Sequence, residues 1–259
     1  MQRELWKIPA DWFARWFNTP AYHLLYGNRN QAEADAFVDR LVSVLWPAGL
    51  DAPLLELACG AGRHAIRFAQ RGLKVEGMDL AANSIEMARA AGEGQGLTAD
   101  QIHFSTGDMR NPDDVARHGP FSAATLLFTS FGYFTSDTEH EATVANIFHA
   151  LNPGATFVLD FLNLSLVESS LVPAETIQRS GHVFKIARRI EDGWIEKSIA
   201  FDLGHGREHH FERVRAFTRE DLVGLVTRNG FILSQICGDY NLGPWSEQSP
   251  RCILICHKP

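Results

Sequence analysis

The sequence predicts an α/β fold whose core is a mostly parallel β-sheet, with a small antiparallel sheet inserted late in the chain. Apolar, strand-like segments alternate with helix-like segments between residues 54 and 161, as in strand–helix–strand units. A glycine-rich turn, CGAG at residues 59–62, joins the first of these strands to a helix. Three further strand-like segments, linked by short polar turns, then follow without a helix between them, which is typical of an antiparallel meander.

Residues 1–40 are expected to form a helical lid. Large aromatic rings crowd this segment ahead of the first strand, which favours a flap that packs over a site. An ordinary amphipathic cap on the core would have the same composition, so both interpretations stay open here. Asn30, followed by Glu33, marks the start of a helix whose apolar stripe runs to Trp46. The aromatic residues ahead of it are Trp6, Trp12, Phe13, Trp16, Phe17, Tyr22 and Tyr26.

The core is predicted to comprise residues 41–163 and 218–259. Gly72 stops the helix that follows the glycine turn, and Thr218 caps the helix ahead of the last two strands. The predicted strands of the core are Leu54–Ala58, Leu73–Met78, Ile102–Ser105, Ala123–Phe128, Thr156–Phe161, Phe231–Cys237 and Arg251–His257. The predicted helices are Arg63–Gln70, Ala82–Ala91, Asp137–Leu151 and Arg219–Arg228.

Residues 164–217 are predicted to form the antiparallel insert, above the sheet edge where ligands bind in open α/β folds. In the last of its strands, alternation places His209, Arg213 and Arg215 on one face and His210 with Glu212 on the other. If one face looks into the cleft, His209 or His210 supplies a base and the two arginines clamp an anion. A solvated charged face or a dimer contact would explain the same pattern. The predicted strands are His182–Ile190, Trp194–Asp202 and Glu208–Phe217.

Composition narrows the class of partner. The chain has 259 residues, 45% of them apolar, and a formal net charge of −7. No basic face that would bind a polyanion is visible, so small molecules are expected rather than nucleic acid or a membrane. No apolar run approaches the roughly 20 residues that span a bilayer, and the first residues lack a signal-peptide core, so a cytoplasmic protein is expected. Cys59, Cys237, Cys252 and Cys256 form no CxxC pair, so no metal site is predicted.

The glycine turn predicts a site for an adenosine-bearing cofactor. The stretch from Gly60 to Ala65 satisfies the G-x-G-x-x-G/A pattern between a strand and a helix. Glycines let backbone N–H groups approach a ligand closely because they lack a Cβ. Asp79 ends the strand that follows this helix, where it can accept from both ribose hydroxyls. The pattern alone leaves a nicotinamide dinucleotide, and so an NAD-dependent oxidoreductase, open.

Further motifs identify the family that the chain resembles. ELACGAG, GMDLA, GDMR, LLFTSFGYF and LNPGATFVLDF follow one another over about residues 50–163, and a pair of strands closes the sheet. In this order they resemble the class I S-adenosylmethionine-dependent methyltransferases. The opening WFNTPAYHLLYGNRNQAEADAF and the ending GDYNLGPWSEQSPRCILICHKP resemble a subgroup of small bacterial members. The resemblance implies a Rossmann-like sheet of seven strands in the order 3-2-1-4-5-7-6 with the last strand antiparallel.

The resemblance also implies roles for individual residues. Asp108 would accept from the adenine amine while the Met109 backbone donates to a ring nitrogen. Tyr22 and Tyr26 would shield the sulfonium, and Arg29 or Arg63 would hold the cofactor carboxylate. The cofactor-binding set is Tyr22, Tyr26, Arg29, Glu56, Ala58, Cys59, Gly60, Gly62, Asp79, Leu80, Asp108, Met109 and Phe128.

The segment after strand 4, residues 128–134, is expected to line the reaction centre. Ser130 and Phe131 are candidates for substrate contact, and Tyr133 joins His209 and His210 as a catalytic candidate. The segment lacks the Asn/Asp-Pro-Pro-aromatic motif of enzymes that methylate bases, which argues against nucleic acid. We therefore expect methyl transfer to a nitrogen or oxygen of a small molecule by a monomer or homodimer. A non-catalytic S-adenosylmethionine-binding regulator is the alternative.

Overall fold

The computed structural model describes residues 6–27, 30–204 and 206–259. It contains a seven-stranded sheet and a separate four-stranded sheet. The strands are β1 Leu54–Leu57, β2 Val75–Asp79, β3 Ile102–Thr106, β4 Phe121–Leu126, β5 Leu151–Leu162, β6 Ala174–Arg179, β7 His182–Glu191, β8 Trp194–Asp202, β9 Arg207–Arg215, β10 Ile232–Cys237 and β11 Arg251–His257. The helices are α1 Trp12–Trp16, α2 Pro20–Tyr26, α3 Gln31–Leu45, α4 Arg63–Gln70, α5 Ala82–Gly94, α6 Pro112–Ala116, α7 Asp137–Ala150, α8 Leu164–Ser170 and α9 Arg219–Arg228.

The large sheet has the predicted strand order. Its strands run β3-β2-β1-β4-β5-β11-β10, which is the order 3-2-1-4-5-7-6 when β10 and β11 are counted as the sixth and seventh core strands. The pairs among β1 to β5 are parallel, and β11 is antiparallel to both β5 and β10. The α/β fold class predicted from the sequence is therefore confirmed, including the antiparallel last strand.

Helices cover the large sheet on both faces, as the apolar runs of its parallel strands require. Phe37 of α3, Phe68 of α4 and Ile85 of α5 pack in one apolar layer. Ile147 of α7 and Leu225 of α9 pack in the layer on the opposite face. All five side chains are buried, and burial of a side chain of this size contributes about 1.5–3 kcal/mol. The parallel strands, whose carboxyl ends are described below, therefore belong to a sheet that is held in place by helices packed on both of its faces.

Local signals explain where several helices begin. The Asn30 side chain accepts from the Glu33 N–H at 3.2 Å and starts α3. Ser136 with Glu139 and Thr218 with Asp221 form reciprocal capping boxes at the starts of α7 and α9. Caps of this kind contribute about 1 kcal/mol each. The predicted starts of these helices agree with the structure because the capping chemistry is encoded within a few consecutive residues.

The insert contains one strand more than the sequence predicts. Four strands, in the order β6-β7-β8-β9, form its antiparallel sheet, and the helix α8 precedes them. β6 has the polar sequence AETIQR and lies at the sheet edge. An edge strand needs little apolar character, which explains why the pattern missed it. β5 begins at Leu151 instead of Thr156, because Asn152, Pro153 and Gly154 are taken up as an irregularity within the strand.

The N-terminal helices and the small sheet share an apolar layer. Trp12, Phe13 and Trp16 of α1 pack with Phe184 of β7 and Phe201 of β8. This layer is separate from the two layers of the large sheet. No helix in the described part of the chain is long and apolar enough to cross a membrane.

Candidate functional site

A cavity of about 350 Å³ lies at the carboxyl ends of the parallel strands. The residues that follow β1, β2, β3 and β4 each contribute to its floor, at positions 58–61, 79–81, 107–109 and 127–128. The helices α1 and α2, with the loop between them, close it from above with aromatic side chains. Its size falls within the roughly 300–1,000 Å³ of small-molecule sites, and its position is where open α/β sheets bind ligands.

The glycine turn has a backbone that demands glycine. Gly60 and Gly62 have φ values of 57° and 82°, in the left-handed region. A Cβ on Gly62 would lie 2.8 Å from the Phe104 ring, so the turn is also packed too tightly for a side chain. Among the described residues no side chain caps α4 at Gly62, and the N-terminus of that helix faces the cavity through Arg63 and His64. Burial raises the pKa of Cys59 well above its ordinary value, so this residue is present as a thiol.

Asp79 links the second strand to the glycine turn. Its carboxylate accepts from the Gly60 N–H and from the Ala81 N–H, both at 2.8 Å. Burial raises the pKa of Asp79, and the two N–H donors offset part of that rise. A carboxylate offers about four lone-pair positions, so two remain after these bonds. Asp79 can therefore fix the turn and still accept from a pair of hydroxyl groups.

Asp108 is held by an arginine that the sequence did not single out. Arg110 donates to both Asp108 oxygens, with Nη2 2.7 Å from Oδ2 and Nε 3.1 Å from Oδ1. Burial by itself would raise the pKa of Asp108, but the hydrogen bonds and charge of Arg110 lower it overall. Arg110 also donates to Glu139 at 2.8 Å and lies over the Phe134 ring at 5.0 Å. The carboxylate after β3 is thus ionised and fixed in place.

Glu56 carries a buried oxygen that a ligand could satisfy. The residue lies on β1 and is 2% exposed, with Oε1 3.2 Å from Nδ1 of His64. Its Oε2 is buried, and none of the described residues donates a hydrogen bond to it. A buried carboxylate oxygen without a partner is costly, and an ammonium group would supply the missing donor. The carboxylates of Asp79, Asp108 and Glu56 therefore offer acceptors that fit a cofactor with hydroxyls, a base that carries an amine, and an amino acid head.

The turn after β4 is strained and held by a buried ion pair. Phe128 and Thr129 have φ values of 58° and 60°, a conformation that costs about 1–3 kcal/mol per residue outside glycine. Asp160 accepts from the Phe128 N–H at 2.8 Å and pairs with Arg251 at 2.7 Å. Arg251 donates to the Thr129 hydroxyl at 2.9 Å, and Tyr240 donates to Asp160 at 3.2 Å. Sequence reasoning missed Arg251, although an aspartate inside the apolar run TFVLDF was a usable signal for a buried ion pair.

Aromatic rings form much of the cavity wall. The Tyr133 hydroxyl donates to the Thr129 carbonyl at 2.6 Å, which fixes its ring. The Arg63 guanidinium lies 4.3 Å from the Phe128 ring centroid. Ring faces attract cations, so this wall suits a positively charged group. The aromatic residues that line the cavity are Phe13, Phe17, Tyr22, Tyr26, Phe128, Tyr133 and Phe134.

One carboxylate joins the lid to the inserted sheet. Glu212 of β9 accepts from Trp16 Nε1 at 2.8 Å and from the Tyr26 hydroxyl at 2.6 Å. Lys197 of β8 donates to Glu212 at 2.6 Å and to the Tyr26 hydroxyl at 2.7 Å. We call these four residues the Glu212 anchor. Tyr26 both lines the cavity and donates to Glu212 of β9, so the inserted sheet is connected to the cavity wall through this residue of α2.

Most predicted cofactor residues lie around the cavity. Glu56 and Gly62 are not among the lining residues, and Arg29 is outside the described residues. Sequence reasoning did not single out His23, Gln31, Ser84 and Met87, which also line the cavity and carry no motif. The predicted residues that line it are Tyr22, Tyr26, Ala58, Cys59, Gly60, Asp79, Leu80, Asp108, Met109, Phe128, Ser130 and Tyr133.

The remaining predicted residues lie elsewhere. Phe131 is 1% exposed and its ring stacks on Phe217 in the core. His210 packs 4.6 Å from the Trp16 ring, behind the lid, and His209 contacts Ser198 at 2.6 Å. Arg213 and Arg215 lie over the Trp194 ring. In the described part of the chain, none of Phe131, His209, His210, Arg213 and Arg215 lines the cavity.

Comparisons with known proteins agree with this geometry. Residues 54–154 match the family model described as a methyltransferase domain. YqeM of Bacillus subtilis, named as a putative methyltransferase, is 24% identical over 79% of this chain and 83% of its own. The dTDP-3-amino-3,6-dideoxy-alpha-D-glucopyranose N,N-dimethyltransferase of Streptomyces fradiae is 28% identical over 69% of each chain. The crystal structure of an S-adenosylmethionine-dependent methyltransferase from Clostridium acetobutylicum has a TM-score of 0.75, at 16% identity, over 91% of this chain and 95% of its own.

Proposed function

The chain is a class I S-adenosylmethionine-dependent methyltransferase, and we propose that it methylates an amino nitrogen of a small molecule. The observation that carries this proposal is the wall of aromatic rings around the cavity at the strand ends. Nitrogen methylation of an amine leaves a substituted ammonium ion. Ring faces stabilise such a cation by about 0.5–2 kcal/mol, whereas a methylated hydroxyl gains nothing comparable.

The cofactor, S-adenosylmethionine, supplies a methyl group on a sulfonium. Gly60 and Gly62 would let the backbone pass close to it, and Asp79 would accept from the ribose hydroxyls. Asp108, held in place by Arg110, would accept from the adenine amine, and Glu56 Oε2, which is buried without a donor, would accept from the amino acid head. The lid excludes water, since Tyr22 and Tyr26 cover the cavity from α2.

An amine must be neutral when it attacks, so one proton has to leave the acceptor. His23 of α2 and Tyr133 both line the cavity. We assign proton removal to the His23 imidazole, because a ring nitrogen of histidine can act as a general base. Tyr133 orients the acceptor, because its hydroxyl is fixed on the Thr129 carbonyl.

The relatives support a small amine as the acceptor. The Streptomyces fradiae protein is, by its name, an N,N-dimethyltransferase of a nucleotide-linked amino sugar. The formal net charge of −7 opposes binding of a polyanion such as RNA. We also propose that residues 1–40 act as the lid, that residues 164–217 act as its support, and that the chain works in the cytoplasm. In support of that location, Cys59, Cys237, Cys252 and Cys256 are free, as in a reducing compartment.

Formation of S-adenosylhomocysteine against a panel of acceptors tests the proposal. The panel pairs dTDP-linked amino sugars and free amines with counterparts that carry a hydroxyl in place of the amine, and includes bulk tRNA. We expect turnover with at least one amine and none with its hydroxyl counterpart. Turnover confined to hydroxyl acceptors or to tRNA would refute nitrogen methylation of a small molecule.

Two variants then test the assignment of the base. His23→Ala should lower kcat at least 100-fold near neutral pH with little change in cofactor affinity, since general-base catalysis contributes about 10²–10⁴-fold. His149→Ala changes an exposed histidine on α7 and should leave both quantities unchanged. An unchanged kcat in His23→Ala would remove this residue from the mechanism without affecting the proposed reaction.

A further inference from the structure

Three side chains with metal-binding atoms meet near the start of β2. Glu76 lies on β2, His103 pairs beside it on β3, and His118 lies on the loop between α6 and β4. Asp79 lies further along β2, at a distance of roughly 10 Å from Glu76. Among the described residues that line the cofactor cavity, none of the three occurs. The cluster is therefore separate from the methyl-transfer site.

The ligand atoms are close enough to share one ion. Those of Glu76, His103 and His118 all lie within 4.8 Å of one another. His103 Nδ1 is 2.8 Å from one Glu76 oxygen, and His118 Nε2 is 3.9 Å from the other. Tetrahedral ligands at about 2.0–2.2 Å from a zinc ion lie roughly 3.3–3.5 Å apart. Side-chain movements of about 1 Å would therefore complete the arrangement, and both imidazoles are exposed enough to make them.

The surroundings support a metal ligand at Glu76. Its carboxyl is buried, and the Ser105 hydroxyl donates to Oε1 at 2.7 Å. Such an outer hydrogen bond orients a ligating carboxylate. A second cavity, of about 120 Å³, is lined by the three residues and gives an ion access from solvent. The register of β2 with β3 fixes two of the three ligands on rigid strands.

We propose that Glu76, His103 and His118 bind one divalent transition-metal ion of the zinc type, with water completing the coordination. Two imidazoles and one carboxylate are a donor set that suits zinc, whereas magnesium prefers oxygen ligands alone. The ion ties β2 and β3 to the loop that leads into β4. The sequence could not predict this site, because its ligands come from two strands and a loop that are far apart in the chain and form no spaced motif.

Calorimetric titration of the untagged, chelator-stripped full chain with Zn²⁺ tests the proposal. We expect one tight site per chain and no binding of Mg²⁺ at the same concentration. His118→Ala and His103→Ala should each weaken Zn²⁺ binding at least tenfold. Saturating Zn²⁺ should raise the thermal midpoint of the unchanged protein by about 5 °C, and that of His118→Ala by less.

His209→Ala is the matched control, because His209 is an exposed histidine on β9 of the separate four-stranded sheet. It should bind Zn²⁺ as the unchanged protein does. Retained affinity for S-adenosylmethionine in His118→Ala would show that the variant is folded. Absence of a tight site, unweakened binding in both ligand variants, or equal weakening by the control would overturn the proposal.

Discussion

Replacing Glu212 by alanine tests whether the inserted sheet holds the lid over the cofactor. This carboxylate takes hydrogen bonds from Trp16 and Tyr26 of the lid at 2.8 and 2.6 Å, and from Lys197 of β8 at 2.6 Å. Burial by itself would raise the pKa of Glu212, but the charge of Lys197 and the three hydrogen bonds lower it overall. The group is therefore ionised at neutral pH, and its removal leaves a lysine and two lid donors without their shared acceptor.

The size of the effect follows from the contacts. Removing one partner of a fully buried ion pair costs about 3–5 kcal/mol. The Lys197 and Glu212 side chains are 22% and 14% exposed, so we take the lower end of that range, about 3 kcal/mol. Each step of about 1.4 kcal/mol is a factor of ten in an equilibrium constant. Full transmission to the site would weaken cofactor binding by about two orders of magnitude. Tyr26 forms only one part of the wall, so we expect the Kd for S-adenosylmethionine to rise about 10- to 100-fold.

The measurement is calorimetric titration with S-adenosylmethionine, alongside thermal unfolding of each variant. Lys185→Ala is the control, because Lys185 is exposed on β7 and neighbours Phe184 and Ile186, which are buried against the lid. It should leave the Kd within twofold. A double-mutant cycle of Glu212→Ala with Lys197→Ala should give a coupling energy of about 1–3 kcal/mol. An unchanged Kd in a folded Glu212→Ala protein would refute the view that the insert positions the lid.

Three further predictions concern the cofactor half of the site. Asp79→Ala should weaken S-adenosylmethionine binding more than tenfold by calorimetry, since it removes the proposed acceptor for the ribose hydroxyls and releases the Gly60 N–H. Burial raises the pKa of Asp79, and the proposed contact with the hydroxyls needs its ionised form. Affinity should therefore be full above that raised pKa and fall as pH drops through it. A cofactor titration from neutral to acid pH checks this, and the loss should begin at a higher pH than an ordinary aspartate would give. Gly62→Ala should lower the free energy of unfolding in urea by about 2–4 kcal/mol, because a left-handed φ and a 2.8 Å approach to Phe104 act together. Gly96→Ala is the control. Its φ is 74° and the space around it is open, so it should lower that free energy by only about 1 kcal/mol.

The sequence predicts where the glycine turn and Asp79 lie because both are marked by local signals. A glycine turn between a strand and a helix, and an aspartate at the end of the next strand, define their own geometry within a few residues. Gly60 and Asp79 accordingly meet at 2.8 Å. The strand order follows from the consecutive motifs, and the capped starts of α3 and α9 follow from single side chains.

The substrate half was harder to predict because it depends on how two distant segments pack. Alternation along β9 correctly separated His210 and Glu212 from His209 and Arg213. The alternation could not predict which part of the molecule each face of β9 would pack against. The face with Glu212 packs on the lid helix α1, and the other face carries stacked arginines. His23 carries no sequence signal at all, since a single histidine in a short helix has no partner spacing to mark it.

The two halves of the site differ in how they can change. The cofactor half rests on the glycine turn and on carboxylates at the ends of parallel strands, so the sheet fixes the positions of its groups. The substrate half rests on aromatic side chains of α1 and α2, which are fixed to the small sheet by the Glu212 anchor and one apolar layer. Substitutions in that layer can reshape the upper wall without disturbing the glycine turn. The lid and the four-stranded sheet are thus the part of the molecule in which acceptor choice can change while methyl transfer is retained.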